Sequence, residues 1–276
     1  MQPILRWAGS KRKLLPKLTP FWGTAYDRYI EPFAGSAALF FSIQPPRAIL
    51  NDINGELIFA LKQIRRSPRD VYKAASGQAP SRENYYRLRA IPPPSLNRID
   101  RAARFVFLNR YCFNGLYRTN ESGTFNVPFA SSKTGGLPSM EQFLSAAALL
   151  RRATLRSEDF EDVLHGQVRK GDFVYMDPPY AVGNRRVFRQ YGPQTFGIDD
   201  LRRLGTALKE IDRRGAHFLV SYAYCREGLA ALSSWRVFRV YTQRNIAGFA
   251  LHRGRAAELL ATNLESPIHI GSIESL

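Results

Sequence analysis

The sequence predicts an α/β fold in which a mostly parallel β-sheet carries helices on both faces. Short apolar segments alternate with helical patterns in the first 54 residues and again after residue 150, which is typical of such a sheet. A glycine turn follows the first apolar segment, and an acidic residue follows the second. This order of strand, glycine turn, helix, strand and acid is typical of one half of a nucleotide-type fold.

The elements can be assigned in order along the chain. A strand at Tyr29-Ile30 leads into the turn Glu31-Pro32-Phe33-Ala34-Gly35, a helix of small residues is predicted over 36–43, and a strand over 47–50 ends at Asn51-Asp52. Residues 55–150 break this rhythm and predict an inserted, mostly helical domain, so that 1–54 and 151–276 form the main domain. Further strands are predicted at 153–156, 172–176 and 218–222, with a helix over 199–214 and closing strands at 235–241 and 258–263.

The composition limits the class of partner. Lys and Arg number 40 against 23 Asp and Glu, a formal net charge of +17, which favours a polyanion such as nucleic acid. An anionic membrane surface is less favoured because no long basic amphipathic segment is found. The two cysteines, Cys112 and Cys225, form no CxxC pair and no His cluster. We therefore expect reduced thiols, no metal site, and a monomer in the cytoplasm without a signal peptide or membrane span.

The most specific motif is Asp177-Pro178-Pro179-Tyr180, directly after an apolar strand. Ligands of open parallel sheets bind beyond the carboxyl ends of the strands, where this motif is predicted to lie. The prolines remove two N–H donors, so Asp177 and the Pro178 carbonyl are suited to accept both hydrogens of an exocyclic amine. Tyr180 offers a π-face to the ring that bears the amine. In isolation the motif is also compatible with a tight turn that only ends a strand.

The segment from Glu31 to Gly35 predicts a second binding element. Gly35 allows close approach of backbone to a ligand, and Asp52, 17 residues later, is placed to accept bonds from ribose hydroxyls. A nicotinamide enzyme would share this geometry, but the GxGxxG spacing is absent. Gly9-Ser10-Lys11 lacks the earlier glycine of a phosphate-binding loop, which excludes an NTPase of that type.

Five segments in this order resemble the DNA adenine methyltransferase (Dam) family, the D12 class of N6-adenine-specific DNA methyltransferases. The segments are Arg6-Trp7-Ala8-Gly9-Ser10-Lys11, Glu31-Pro32-Phe33-Ala34-Gly35, Asn51-Asp52-Ile53-Asn54, Phe125-Asn126-Val127-Pro128-Phe129 and Asp177-Pro178-Pro179-Tyr180. The resemblance implies a Rossmann-like sheet that binds S-adenosylmethionine (AdoMet). It also implies that residues 55–150 form a DNA-recognition domain with a β-hairpin.

The resemblance further implies the roles of individual residues. Those that match the family's AdoMet pocket are Trp7, Lys11, Glu31, Phe33, Gly35, Asp52, Asp159, Phe160 and Asp177. Without the family, Trp7 as buried core and Lys11 as a solvated charge would be the favoured interpretations. The family often has a second glycine at the position of Ala37, so this chain leaves slightly less room beside the cofactor.

The segment from Asn109 to Arg118 resembles the family's DNA-recognition hairpin. It implies that DNA is contacted by Arg6, Arg110, Phe113, Asn114, Leu116, Arg118, Asn126 and Pro128. An aromatic wedge at Phe113 suits a duplex from which a base has been extruded, and Arg118 can donate two bonds to guanine O6 and N7. The residues alone also allow a simple turn at Asn114-Gly115 with cations that touch only phosphate.

The expected reaction is direct transfer of methyl from AdoMet to the N6 amine of a flipped adenine in double-stranded DNA, with GATC as the favoured sequence. Tyrosines precede both cysteines, which disfavours a cytosine-C5 enzyme with a thiol nucleophile. The alternatives left open are cytosine-N4, RNA adenine-N6 or protein glutamine methylation. A catalytically inactive DNA-binding relative is disfavoured because it need not retain Asp177 or Asp52.

Overall fold

The computed structural model describes residues 1–23, 25–130, 136–181, 196–243, 255–264 and 274–275. Its strands are β1 (Arg28–Glu31), β2 (Ala48–Asn51), β3 (Ala153–Arg156), β4 (Asp172–Met176), β5 (His217–Ala223), β6 (Arg236–Gln243), β7 (Arg255–Thr262) and β8 (Glu274–Ser275). In the described ranges these form one eight-stranded sheet in the order β3-β2-β1-β4-β5-β7-β6-β8. The five strands from β3 to β5 in this order are parallel, whereas β7 runs antiparallel to both β5 and β6. This confirms the predicted α/β class.

The strand order creates a switch point beside β1. The chain proceeds from β1 to β2 and β3 on one side, then returns to place β4 on the other side. The crossovers therefore diverge at the carboxyl ends of β1 and β4, which is where open α/β sheets bind ligands. Arg28 fixes the opposite ends of these two strands, because its Nε and Nη2 donate to the two carboxylate oxygens of the buried Asp172 over 2.9 and 2.7 Å.

Helices cover both faces of the sheet, as predicted. Their bounds are α1 (Leu15–Leu18), α2 (Ala38–Ile43), α3 (Gly55–Arg66), α4 (Pro68–Ser76), α5 (Arg82–Ala90), α6 (Arg98–Tyr111), α7 (Met140–Leu150), α8 (Phe160–Gln167), α9 (Ile198–Arg213) and α10 (Arg226–Leu232). Successive strand side chains point to opposite faces, so Tyr29 joins the hydrophobic cluster under α2, α3, α6 and α7, whereas Ile30 joins the cluster under α8 and α9.

The region 55–150 is helical in α3 to α7, and its core is continuous with that of the sheet. Leu57 of α3, Phe105 of α6 and Phe143 of α7 lie in the same cluster as Tyr29 of β1. Asn54 begins α3 by accepting a hydrogen bond from the Leu57 N–H over 3.1 Å, a typical N-cap. The loop that joins the end of β2 to this region is therefore held in a defined place.

The segment expected to form a β-hairpin has two antiparallel arms without a continuous ladder. Isolated bridges pair Cys112 with Phe129 and Thr119 with Phe125. The arms are held from below by a separate hydrophobic cluster, in which the Tyr85 hydroxyl donates to the Val127 carbonyl over 3.0 Å. We call residues 112–130 the recognition loop.

Within the described ranges, no helix combines the length and the apolar composition needed to cross a membrane.

Gln44, which follows α2, has a left-handed backbone with φ of 51°. Because this region is strained for residues with a Cβ and free of strain for glycine, we expect Gln44→Gly to raise the free energy of unfolding by about 0.5–1 kcal/mol, net of the entropy cost of glycine. Urea denaturation measures the change. Gln44→Ala is the matched control, since it removes the side chain but keeps the strain. A glycine variant no more stable than the alanine variant contradicts the expectation.

Candidate active site

Lys11 and Asp177 form a buried ion pair at the carboxyl end of β4. The Lys11 side chain is only 8% exposed, and its Nζ lies 2.7 Å from Asp177 Oδ1. The same ammonium donates to the Tyr180 hydroxyl over 3.2 Å and to the Gly9 carbonyl over 3.3 Å. Pro178 and Pro179 fix the backbone between Asp177 and Tyr180. The first and last residues of the motif thus share one cation from the N-terminal segment.

A second carboxylate also faces Lys11. Glu258 of β7 is buried, and its Oε2 lies 3.8 Å from Lys11 Nζ. Burial lowers the pKa of Lys11, but its electrostatic interactions with Asp177, Tyr180 and Glu258 outweigh this effect and raise that pKa above its usual value. Lys11 is therefore a permanent cation at neutral pH.

Asp177 uses one of its two carboxylate oxygens for these contacts. Oδ1 accepts from Lys11 and, over 3.1 Å, from the Ser221 hydroxyl of β5, which is itself 2.9 Å from the Tyr175 hydroxyl. Among the described residues, no hydrogen bond reaches Oδ2. Burial raises the pKa of Asp177, while Lys11 and Ser221 pull it back down. Lys11 and Ser221 therefore orient the carboxylate through Oδ1, and Oδ2 can accept a hydrogen bond from a ligand.

Glu31 ends β1 beside this pair. Its side chain is buried, and Oε2 accepts a hydrogen bond from the Tyr29 hydroxyl over 2.9 Å. Burial raises the pKa of Glu31 well above its usual value; the Tyr29 bond lowers it, and the nearby carboxylates of Asp177 and Asp52 raise it further. The protonated form of Glu31 is thereby favoured.

Gly35, Trp7 and Asp52 are brought together at the turn after β1. A Cβ at Gly35 would stand 2.7 Å from the Trp7 ring, and the φ of Gly35 is +48°, so contact and backbone both require glycine. The Gly35 N–H donates to Asp52 Oδ2 over 2.8 Å, and the Asn54 N–H donates to Asp52 Oδ1 over 2.9 Å. Burial raises the pKa of Asp52 to about 6, although these two N–H groups lower it.

Ala37 also has a left-handed backbone, with φ of 52°. A glycine adopts this conformation without strain. The backbone thus gives a physical reason for the glycine that the family often carries at this position.

Phe33, Asp159 and Phe160 form a neighbouring group at the ends of β1 and β3. The rings of Phe33 and Phe160 lie 5.1 Å apart. Asp159 begins α8 by accepting the Glu161 N–H over 2.9 Å, and the same oxygen accepts a guanidinium nitrogen of Arg203 over 2.6 Å. The buried Asn51 side chain donates to the carbonyls of Pro32 and Glu158, 3.0 Å from each. Asn51 therefore fixes this aromatic group relative to the turn after β1.

Arg6 and Arg110 lie at the base of the recognition loop. The Arg6 backbone donates to and accepts from the Asn109 side chain over 2.8 and 2.6 Å, and its guanidinium donates to the Arg110 carbonyl. The Arg110 guanidinium donates to the carbonyls of Gly136 and Ile4. Burial lowers the pKa of Arg110, and the positive charge of Arg6 lowers it further. These contacts tie the N-terminal segment to α6.

The other predicted DNA contacts lie along the recognition loop. Phe113 is 44% exposed and its N–H donates to the Pro128 carbonyl over 3.0 Å, which places these two exposed residues side by side. Asn114 is exposed with φ of 53°, and Leu116 is half-buried. Arg118 Nε donates to Asn126 Oδ1 over 2.7 Å. The two arms of the loop therefore present their polar and aromatic side chains together.

The predicted residues thus fall into two sets, and the N-terminal segment connects them. Its Ala8 N–H donates to the Gly115 carbonyl of the recognition loop over 3.2 Å. A Cβ at Gly115, whose φ is +64°, would stand 2.8 Å from Arg6 Cβ. Trp7 stacks on Tyr117 at a ring distance of 5.9 Å. The residues predicted for catalysis and those predicted for DNA recognition are therefore connected through a few residues of the N-terminal segment.

The sequence interpretation missed Ser221, Glu258 and Asn51. Ser221 and Glu258 each stand between apolar or aromatic neighbours within a strand, and a buried polar residue at such a position requires a partner. That requirement was the available signal, although it does not identify the partner. Across the ranges that the structure describes, no three His, Cys, Asp or Glu side chains are grouped as a metal site would need.

Comparison with known proteins agrees with this architecture. The sequence model of the D12 class N6 adenine-specific DNA methyltransferases matches residues 7–246. Type II methyltransferase M1.LlaDCHI of Lactococcus lactis subsp. cremoris is 30% identical over 272 residues, 95% of each chain. A type II methyltransferase of Methanocaldococcus jannaschii, M.MjaIII, is 32% identical over 81% of this chain and 85% of its own. The DNA adenine methylase of Haemophilus influenzae is 29% identical over 94% of this chain and 93% of its own. The chain therefore belongs to the D12 class of N6 adenine-specific DNA methyltransferases.

Proposed function

We propose that this chain transfers the methyl group of AdoMet to the N6 amine of an adenine flipped out of double-stranded DNA, and that GATC is its sequence. The observation that carries the proposal is the Asp177 carboxylate, which is held through Oδ1 while Oδ2 accepts no bond from the described residues. It lies at the switch point of the sheet. The family resemblance supports GATC as the sequence to test first.

The side chains around the switch point fit AdoMet by their chemistry. Asp52 would accept the ribose hydroxyls, the second oxygen of Asp159 would accept from the adenine amine, and the rings of Phe33 and Phe160 would cover the adenine. The carboxylates of Asp52 and Asp177 suit the positive charge of the sulfonium. When bound, AdoMet supplies an electrophilic methyl group.

The chain's own residues then hold the target amine. Asp177 Oδ2 and the Pro178 carbonyl would accept the two N6 hydrogens, which directs the nitrogen lone pair outward toward the methyl group. Tyr180 lies edge-on to Tyr222 at a ring distance of 5.3 Å, so its ring is fixed as a surface for the flipped base. As the N–C bond forms, the bond between the methyl group and sulfur would break and leave its electron pair on sulfur. The nitrogen would gain positive charge, which Asp177 stabilises, and one N6 proton would then pass to Asp177 Oδ2 and from there to solvent.

The recognition loop, together with the neighbouring Arg6 and Arg110, supplies the proposed DNA contacts. The net charge of +17 attracts the phosphate backbone. Phe113 would fill the space left by the extruded base, flanked by Asn114, Leu116 and Pro128. Arg6 and Arg118 would read guanines in the major groove, with Asn126 and Arg110 supporting them.

Nucleoside mass spectrometry of DNA incubated with protein and AdoMet tests the reaction. N6-methyladenine is expected, and N4-methylcytosine as the only product would overturn the proposal.

We expect Asp177→Asn to lower the methylation rate by about 100-fold or more, because charge stabilisation at the amine is lost, while DNA affinity changes less than about twofold. Ser221→Ala, which removes one bond to Asp177 but no charge, should cost much less. Equal rates for Asp177→Asn and the wild type would discard the catalytic role.

Cofactor binding should depend on pH through Asp52. The pKa of about 6 in the free protein means that the carboxylate is present above pH 6 and is lost as pH falls through it. Since the ribose hydroxyls bind the carboxylate, we expect affinity for S-adenosylhomocysteine (AdoHcy) to fall about tenfold per pH unit below 6. Calorimetry between pH 5 and 8 measures this, with circular dichroism to verify folding. We expect Asp52→Asn to bind AdoHcy more weakly, with an affinity that depends less on pH. If the affinities of the variant and the wild type fell equally steeply with pH, the assignment of Asp52 to the ribose hydroxyls would be contradicted.

Sequence discrimination should depend on Arg118. We expect Arg118→Ala to relax discrimination at one guanine-containing base pair. The difference in free energy of recognition between the cognate pair and an altered pair should shrink by about 1–3 kcal/mol if both guanidinium bonds are lost. Asn126→Ala, which leaves the guanidinium in place but removes the acceptor for its Nε, should affect the same position by a smaller amount. Rates on duplexes altered at each position, at two salt concentrations, distinguish the cases. A uniform loss with shallower salt dependence would make Arg118 a phosphate contact instead.

A further inference from the structure

Glu258 is a buried acid flanked by apolar residues on both sides within β7. It lies opposite Ala223 of β5 and Val240 of β6, and its side chain is 7% exposed. Burying a carboxylate is costly unless a cation lies nearby, and Lys11 Nζ stands 3.8 Å from Glu258 Oε2. The proposed reaction, as described above, assigns no task to this residue.

The charges around Lys11 suggest a role for Glu258. Asp177 lies 2.7 Å from the ammonium, so these two groups form a neutral pair. A buried ammonium and a cofactor sulfonium are both positive, and in a low-dielectric site they repel each other strongly. Tyr180, which accepts a hydrogen bond from Lys11, and Glu31, which interacts with Asp177, add little negative charge. The pKa of Tyr180 is raised to about 12, chiefly by burial, and the pKa of Glu31 is raised well above its usual value by burial.

We infer that Glu258 is a positioning residue that acts through Lys11: it holds the ammonium and supplies the second negative charge that lets the site accept a cationic sulfonium cofactor. This inference rests on the proposed function. With Glu258 as the carboxylate that the inference requires, the three groups Lys11, Asp177 and Glu258 sum to a charge of minus one. The cofactor loses its positive charge when the methyl group leaves, so the same carboxylate favours the cation before transfer and ceases to attract the neutral thioether after it.

The test is a ratio of affinities, measured by calorimetry on the full chain. The ligands are AdoMet, the neutral thioether AdoHcy, and sinefungin, in which a carbon bearing a cationic amine replaces the sulfonium. We expect Glu258→Gln to lower the affinity for AdoMet and sinefungin by at least about fivefold relative to AdoHcy. Glu141→Gln, at an exposed position in the first turn of α7, removes the same charge far from the site and should leave the ratio unchanged.

A double variant separates charge from packing. Lys11→Gln combined with Glu258→Gln removes one positive and one negative charge, so the net charge of the site stays at minus one. We expect the ratio of AdoMet to AdoHcy affinity to return toward the wild-type value, even if both ligands bind more weakly. This variant also lacks the buried, half-paired ammonium, which makes it the measurement to use if the single variant does not fold.

Three outcomes would overturn the inference: an equal loss of affinity for all three ligands in Glu258→Gln, no loss for any of them, or a double variant whose ratio stays low. The first assigns Glu258 to packing alone. Failure of the cofactor assignment in the proposed function is distinguishable, because the wild-type protein would then bind neither AdoMet nor AdoHcy. Failure of the target-base assignment is detected separately, by mass spectrometry of the methylated nucleoside, and leaves the ratio of affinities unaffected.

Discussion

The ion pair between Lys11 and Asp177 is the contact on which the rest of the site depends. An ammonium that is 8% exposed is tolerated only beside carboxylates, so the N-terminal segment must fold onto the carboxyl edge of the sheet before the site exists. Asp177 is held in turn by Ser221 and, through it, by Tyr175. The pair thus joins a segment outside the sheet to three of its strands, β4, β5 and β7.

This placement of the N-terminal segment also fixes the recognition loop. Gly115 packs against Arg6, and its carbonyl accepts the Ala8 N–H, while the Asn109 side chain brackets the Arg6 backbone on both sides. Backbone hydrogen bonds of this kind are short and directional. The position of the recognition loop relative to the Asp177 carboxylate is therefore set by a few residues of the N-terminal segment.

The sequence predicted the parts that local patterns encode. Strand 153–156 and strand 172–176 match β3 and β4 residue for residue. β4 is buried along its whole length, as central parallel strands are, whereas β3 is an edge strand in which buried Ala153 and Leu155 alternate with the more exposed Thr154 and Arg156. The last long strand begins at Arg255, three residues before the predicted 258–263, since its start is set by pairing with β6 and not by hydrophobicity. Motifs pointed to Asp177 and Lys11, whereas Glu258 has no motif around it. Its contact with Lys11 spans most of the chain and appears only once the sheet is assembled.

The excess of positive charge and the cluster of buried acidic residues suit two different ligands, a polyanion and a cationic cofactor. A net charge of +17 suits a polyanion, yet four acidic residues, Glu31, Asp52, Asp177 and Glu258, lie around the switch point, and burial raises the pKa of the first three. Of these, Asp177 and Glu258 face Lys11. Exposed cations are screened by salt within about 10 Å at 0.1 M, but buried groups are screened much less. Salt therefore weakens the hold on DNA long before it alters the acidic site, so that affinity for the substrate and the electrostatics of methyl transfer respond independently to the solution around the protein.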